Sequence, residues 1–84
     1  MKTRPDSTTI SYLLGELGIE TLALIAQGCV TDDDIIRLST VTRTCLEVKI
    51  PLLETLGLIK RNDGLYFITD YGNVTLEKIM GWKK

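Results

Sequence analysis

Residues 34–59, DIIRLSTVTRTCLEVKIPLLETLGLI, constrain the fold of this chain more than any other stretch. Ile35 and Leu38 stand at helical spacing, Ser39 to Thr42 break the pattern, and Leu46, Ile50, Leu53 and Leu56 resume it at intervals of three and four. The spacing predicts two helices joined by a tight turn, with Ile35 and Leu38 facing inward on the first and the second running over residues 42–56. Gly57 ends the second helix, because glycine enters the left-handed region without a Cβ penalty. Directly after it, LIKRNDGLYFIT reads as two β-prone runs around Asn62-Asp63-Gly64, which supplies the positive φ that a tight hairpin demands.

The flanking segments are also helical. Over residues 10–27 the apolar positions are Ile10, Leu13, Leu14 and Leu17 on one face, followed by Ile19, Leu22, Ala23, Leu24 and Ile25. Gly15 and Gly18 interrupt this run, each costing about 1 kcal/mol relative to alanine, so two pieces or a bend are expected. The first piece, residues 10–17, is an added helix, and the second starts at Ile19 and closes at Gly28. Residues 1–9 read as a flexible polar lead. Thr31 is placed to cap the next helix, with Asp32, Asp33 and Asp34 at its positive end. Those three aspartates lack the alternating spacing of a calcium loop, which favours capping over metal binding. Thr69 caps a last helix over residues 70–80. Pro51 breaks the local rule, since it removes the amide that would bond to Glu47, so the helix either bends there or starts later.

Two helices and a hairpin, with Leu56-Gly57-Leu58-Ile59, Lys60-Arg61, Asp63-Gly64, Tyr66 and Thr69-Asp70-Tyr71-Gly72 in that order, resemble the winged helix-turn-helix family of small archaeal and bacterial regulators. The resemblance runs from about Gly18 onward. It implies a mainly α fold with a small β-hairpin wing (α+β), a three-helix core with added N- and C-terminal helices, and a single domain over residues 1–84. Cys29 and Val30 would form a third strand against the wing. The function implied is DNA-binding transcriptional regulation with double-stranded DNA as partner. Thr42, Arg43, Thr44, Glu47, Val48 and Lys49 on the second helix would make the contacts, with Arg37 before it and Lys60, Arg61 and Asn62 in the wing. A homodimer is also implied, with Tyr12, Tyr71, Val74, Met80 and Trp82 as candidate interface residues, although packing within one chain explains them equally well.

Charge sets a condition on that reading. Ten Lys and Arg against eleven Asp and Glu leave a net charge of −1, whereas nucleic-acid-binding domains carry a basic excess or a basic face. The outward stripe of the second helix, Thr44, Glu47, Val48, Pro51 and Thr55, has no basic residue. DNA binding therefore requires Arg37, Arg43, Lys49, Lys60 and Arg61 to gather on one side, free of neighbouring carboxylates. A winged-helix module that binds another protein without DNA is the second reading, favoured by Asp32 to Asp34, Val48 and Pro51.

With no histidine and two cysteines, neither a structural zinc site nor a cysteine-histidine nucleophile can be assembled. No Gly-rich phosphate loop, serine elbow or opposed carboxylate pair is present, so no enzyme, cofactor, metal or small-molecule ligand is expected. Cys29 and Cys45 read as small buried apolar residues. No apolar run approaches the ~20 residues of a membrane helix and the start lacks a signal-peptide core, so a cytoplasmic location and no membrane partner are expected.

Overall fold

The computed structural model describes residues 6–81 and consists of four helices and one antiparallel hairpin. In chain order these are α1 (Ser7–Ala26), α2 (Asp32–Leu38), α3 (Arg43–Thr55), β1 (Ile59–Asn62), β2 (Leu65–Ile68) and α4 (Asp70–Met80). The helix starts expected at Thr31, Thr42 and Thr69 are present. The three hydroxyls accept from the amides of Asp34 (3.1 Å), Cys45 (3.1 Å) and Gly72 (2.9 Å), satisfying donors that the first helical turn leaves without partners.

α1 departs from the sequence reading in three ways. It begins at Ser7, with Asp6 accepting from the Thr9 amide at 2.8 Å, so residues 7–9 belong to the helix rather than to a lead. That amide bond holds the Asp6 carboxyl below the usual carboxylate range. The break falls at Gly15, with φ 69° and ψ 178°, a region open essentially to glycine alone. Gly18 stays inside the helix and is buried, and a Cβ there would come within 2.9 Å of the Leu14 Cβ. The kink turns Leu13 and Leu17 outward, while Ile10 and Leu14 enter the core. By length and composition α1 can also cross a membrane, a property hidden in the sequence reading because the glycines cut the apolar run short. It is kinked at Gly15 and packs against α3, α4 and β2.

α2 ends at Leu38, where its pattern placed the break, but it buries one of its two expected inward residues. Ile35 is fully buried, but Leu38 is 62 % exposed, and Val41 in the turn takes the inward position instead. Ser39 directs this exchange: its hydroxyl donates to the Ile35 carbonyl (2.7 Å) and accepts from the Val41 amide (3.0 Å), folding the turn back under the helix. Burying the Val41 side chain contributes about 1.5–3 kcal/mol. α3 then buries Leu46, Ile50 and Leu53, as its periodicity predicted, and continues through Pro51 on its exposed side.

The hairpin pairs Ile59 with Ile68 and Asn62 with Leu65, leaving Asp63 and Gly64 as a two-residue loop. Both have positive φ (54° and 77°), as a turn matched to strand twist requires. The expected third strand does not form. Residues 29–30 contribute one ladder-like bond, from the Tyr66 amide to the Val30 carbonyl (2.9 Å), because Thr31 immediately turns the chain into α2.

α4 docks against the end of α3 through Thr69 and Gly72. The Thr69 amide donates to the Leu58 carbonyl (2.9 Å) and its hydroxyl to that of Gly57 (2.7 Å). A Cβ at Gly72 would sit 2.1 Å from the Leu58 carbonyl oxygen and 2.8 Å from Ile68 Cγ1, so only glycine permits this approach. In a urea titration, Gly72→Ala is expected to lower the unfolding free energy by about 1–3 kcal/mol through overpacking. Gly15→Ala is expected to lose roughly 1–3 kcal/mol from backbone strain alone, since nothing lies within 4 Å of the added methyl. An unchanged midpoint in either variant would remove that constraint.

Candidate functional site

The outward surface of α3 and the adjoining hairpin bring together most of the residues expected to contact a partner. Thr42, Arg43, Thr44, Glu47 and Val48 are exposed along the first half of α3, and Lys60, Arg61 and Asn62 are exposed on β1. Val48, at 63 %, is among the most exposed large apolar side chains.

The five cations do not form one basic face. Arg37 pairs with Asp34 one turn earlier on α2 (2.9 Å). Arg43 reaches back from the start of α3 to Asp33 (3.0 Å) and Asp32 (3.7 Å). Arg61 holds Glu54 with two nitrogens, at 2.6 and 3.2 Å. This charge-assisted pair ties β1 to the last turns of α3, holds the Glu54 carboxyl below its ordinary range and raises the Arg61 guanidinium above its own. Lys49 is half-buried on the flank of α3 that meets α1, where a Cβ on Gly18 would come within 3.5 Å of its Cδ. Lys60 alternates with Arg61 along β1, so it lies with Phe67 on the opposite face of the hairpin. Over α2, α3 and the hairpin, Asp32, Asp33, Asp34, Glu47, Glu54 and Asp63 exceed Arg37, Arg43, Lys49, Lys60 and Arg61 by a single charge.

Tyr66 connects these groups. It is 5 % exposed, its hydroxyl donates to Asp32 Oδ1 at the start of α2, and the Arg61 guanidinium lies 5.8 Å from its ring centre. Burial, reinforced by the bond to the Asp32 carboxylate, pushes the phenol up to about 12. A cleft of about 240 Å³ opens between α3 and the hairpin, lined by Leu46, Ile50, Pro51 and Tyr66, with Asp32, Glu47 and Arg61 at its edge. Among the described residues, no group of three histidine, cysteine, aspartate or glutamate side chains could hold a metal ion. The sequence reading missed the Tyr66–Asp32 link and the cleft, because their partners lie far apart in the chain. The Asp34–Arg37 pair was missed as well, although its spacing of three on one helix face is a signal that could have found it.

Of the residues assigned to a dimer interface, Tyr12, Val74 and Met80 are exposed and Trp82 lies outside the described residues. Tyr71 is half-buried and packs against the chain's own core. Comparison with family models, curated protein sequences and solved structures gave no match to this chain.

The raised Tyr66 phenol makes stability depend on alkaline pH. A proton held more tightly in the folded state stabilises it fully below about pH 10, and that contribution is lost as pH rises through about 12. In a phenolate absorbance titration, the difference between the parent and Tyr66→Phe is expected to show a single transition near pH 12. A transition near pH 10 would contradict the burial and hydrogen bonding of this group.

Proposed function

We propose that this chain is a winged-helix-type module that binds another protein through α3 and the hairpin. The order α2, turn, α3, hairpin, with threonine caps and the Gly57 exit, supports the winged-helix reading. The observation that carries the choice of partner is the neutralisation of the arginines around the exposed stripe of α3, with Arg37, Arg43 and Arg61 each held by an acidic neighbour. A phosphate backbone is gripped by neutralising several charges at once, and the fixed carboxylates oppose its approach even where an arginine is released. Glu47, Val48 and Pro51 instead offer one charge and two apolar contacts, a combination suited to a protein surface. The exposed side chains of Tyr12, Val74 and Met80 are available for pairing of two copies.

A specific observation favours the second reading, a DNA-binding regulator. Lys49 and Lys60 have no ion-pair partner among the described residues, and exposed pairs such as that of Arg43 contribute only about 0–1 kcal/mol, so arginine can exchange carboxylate for phosphate. A gel shift at low salt with random-sequence duplex separates the two. No retardation is expected. Retardation that weakens with added salt and is lost in Arg43→Ala/Arg61→Ala would replace the protein-partner reading with the DNA one.

A further inference from the structure

The cleft between α3 and the hairpin has a chemistry that specifies its occupant more narrowly than the rest of the surface. Leu46, Ile50 and the Tyr66 ring line it with apolar surface, and about 240 Å³ is small for a cofactor but suited to one long side chain. Its edge supplies acceptors. Among the described residues the Glu47 carboxylate has no hydrogen-bond or ion-pair partner, and Asp32 lines the same cleft, with Oδ1 taken by the Tyr66 hydroxyl and Oδ2 3.7 Å from Arg43, a distance that leaves it able to accept. The one cation at the edge, Arg61, is already engaged by Glu54.

Resting on the protein-partner reading above, we propose that this cleft receives an arginine side chain from a basic segment of a partner protein. The aliphatic stem lies along Leu46, Ile50 and Tyr66, while the guanidinium meets the Glu47 and Asp32 carboxylates. A planar group with five donors fits acceptors set apart in this way better than the point charge of lysine.

The test is an amide-resolved magnetic resonance titration of the isotope-labelled full chain with a capped peptide, alanine-leucine-arginine-leucine-alanine, and with its citrulline analogue, which keeps the shape but loses the charge. The arginine peptide is expected to shift the amides of Asp32, Glu47, Ile50 and Tyr66, and the citrulline peptide to leave them in place. Glu47→Gln is expected to weaken binding roughly three- to fivefold, the range of an exposed charge pair. Equal shifts with both peptides, shifts confined to other surfaces, or no shifts would overturn the arginine site. If the cleft stays silent while a protein partner binds elsewhere, the site fails and the protein-partner reading stands. Salt-sensitive shifts of α3 and hairpin amides with duplex DNA would overturn that reading itself.

Discussion

The clasp that Thr69 makes with the chain just after α3 holds the rest of the structure in register. Its amide and hydroxyl take up the Leu58 and Gly57 carbonyls, and the same hydroxyl accepts from the Gly72 amide to begin α4. One residue thus satisfies the exposed carbonyls at the end of α3, closes the base of the hairpin beside Ile59 and Ile68, and starts the last helix. The clasp depends on Gly72, since the Leu58 carbonyl occupies the space that any larger residue would need. Because α4 packs on α1, and α1 in turn on α3 and β2, the position of the hairpin relative to α3 is set through this contact.

A second set of interactions fixes the charge of the exposed face. Tyr66 joins the hairpin to the start of α2, Arg61 joins it to α3, and Arg43 joins α3 back to α2. Each exposed pair is individually weak. Together they place the arginines among carboxylates, and the resulting surface is of mixed charge and partly apolar where a phosphate-binding surface would be cationic. The acidic triplet serves two purposes here. It lies at the positive end of α2, and Asp32 and Asp33 also hold Tyr66 and Arg43.

Local chemistry made much of the fold legible. The caps at Thr31, Thr42 and Thr69, the Gly57 exit, the Asp63-Gly64 turn and the inward row Leu46, Ile50, Leu53 all depend on residues within a few positions of one another. The failures have physical causes of the same kind. Leu38 and Val41 exchanged places because a serine hydrogen bond folded the turn, and the strand expected at residues 29–30 had no length over which a ladder could grow. The bend in α1 was foreseen, but Gly15 rather than Gly18 took it, because Gly18 is packed within the helix and against the Lys49 side chain.

The candidate site was legible only as an inventory. Residue types and helical phase identified which side chains of α3 and β1 would be exposed, since exposure follows from periodicity. The pairing of Arg43 with Asp33, ten residues away, of Arg61 with Glu54, and of Tyr66 with Asp32 across thirty-four residues depended on how the helices and hairpin packed. The sequence by itself therefore determined the elements, their caps and their turns, through interactions between near neighbours. Only the tertiary structure decided the charge pairing of the exposed face and the existence of the cleft, because a charge's effect depends on which opposite charges folding brings within a few ångströms of it.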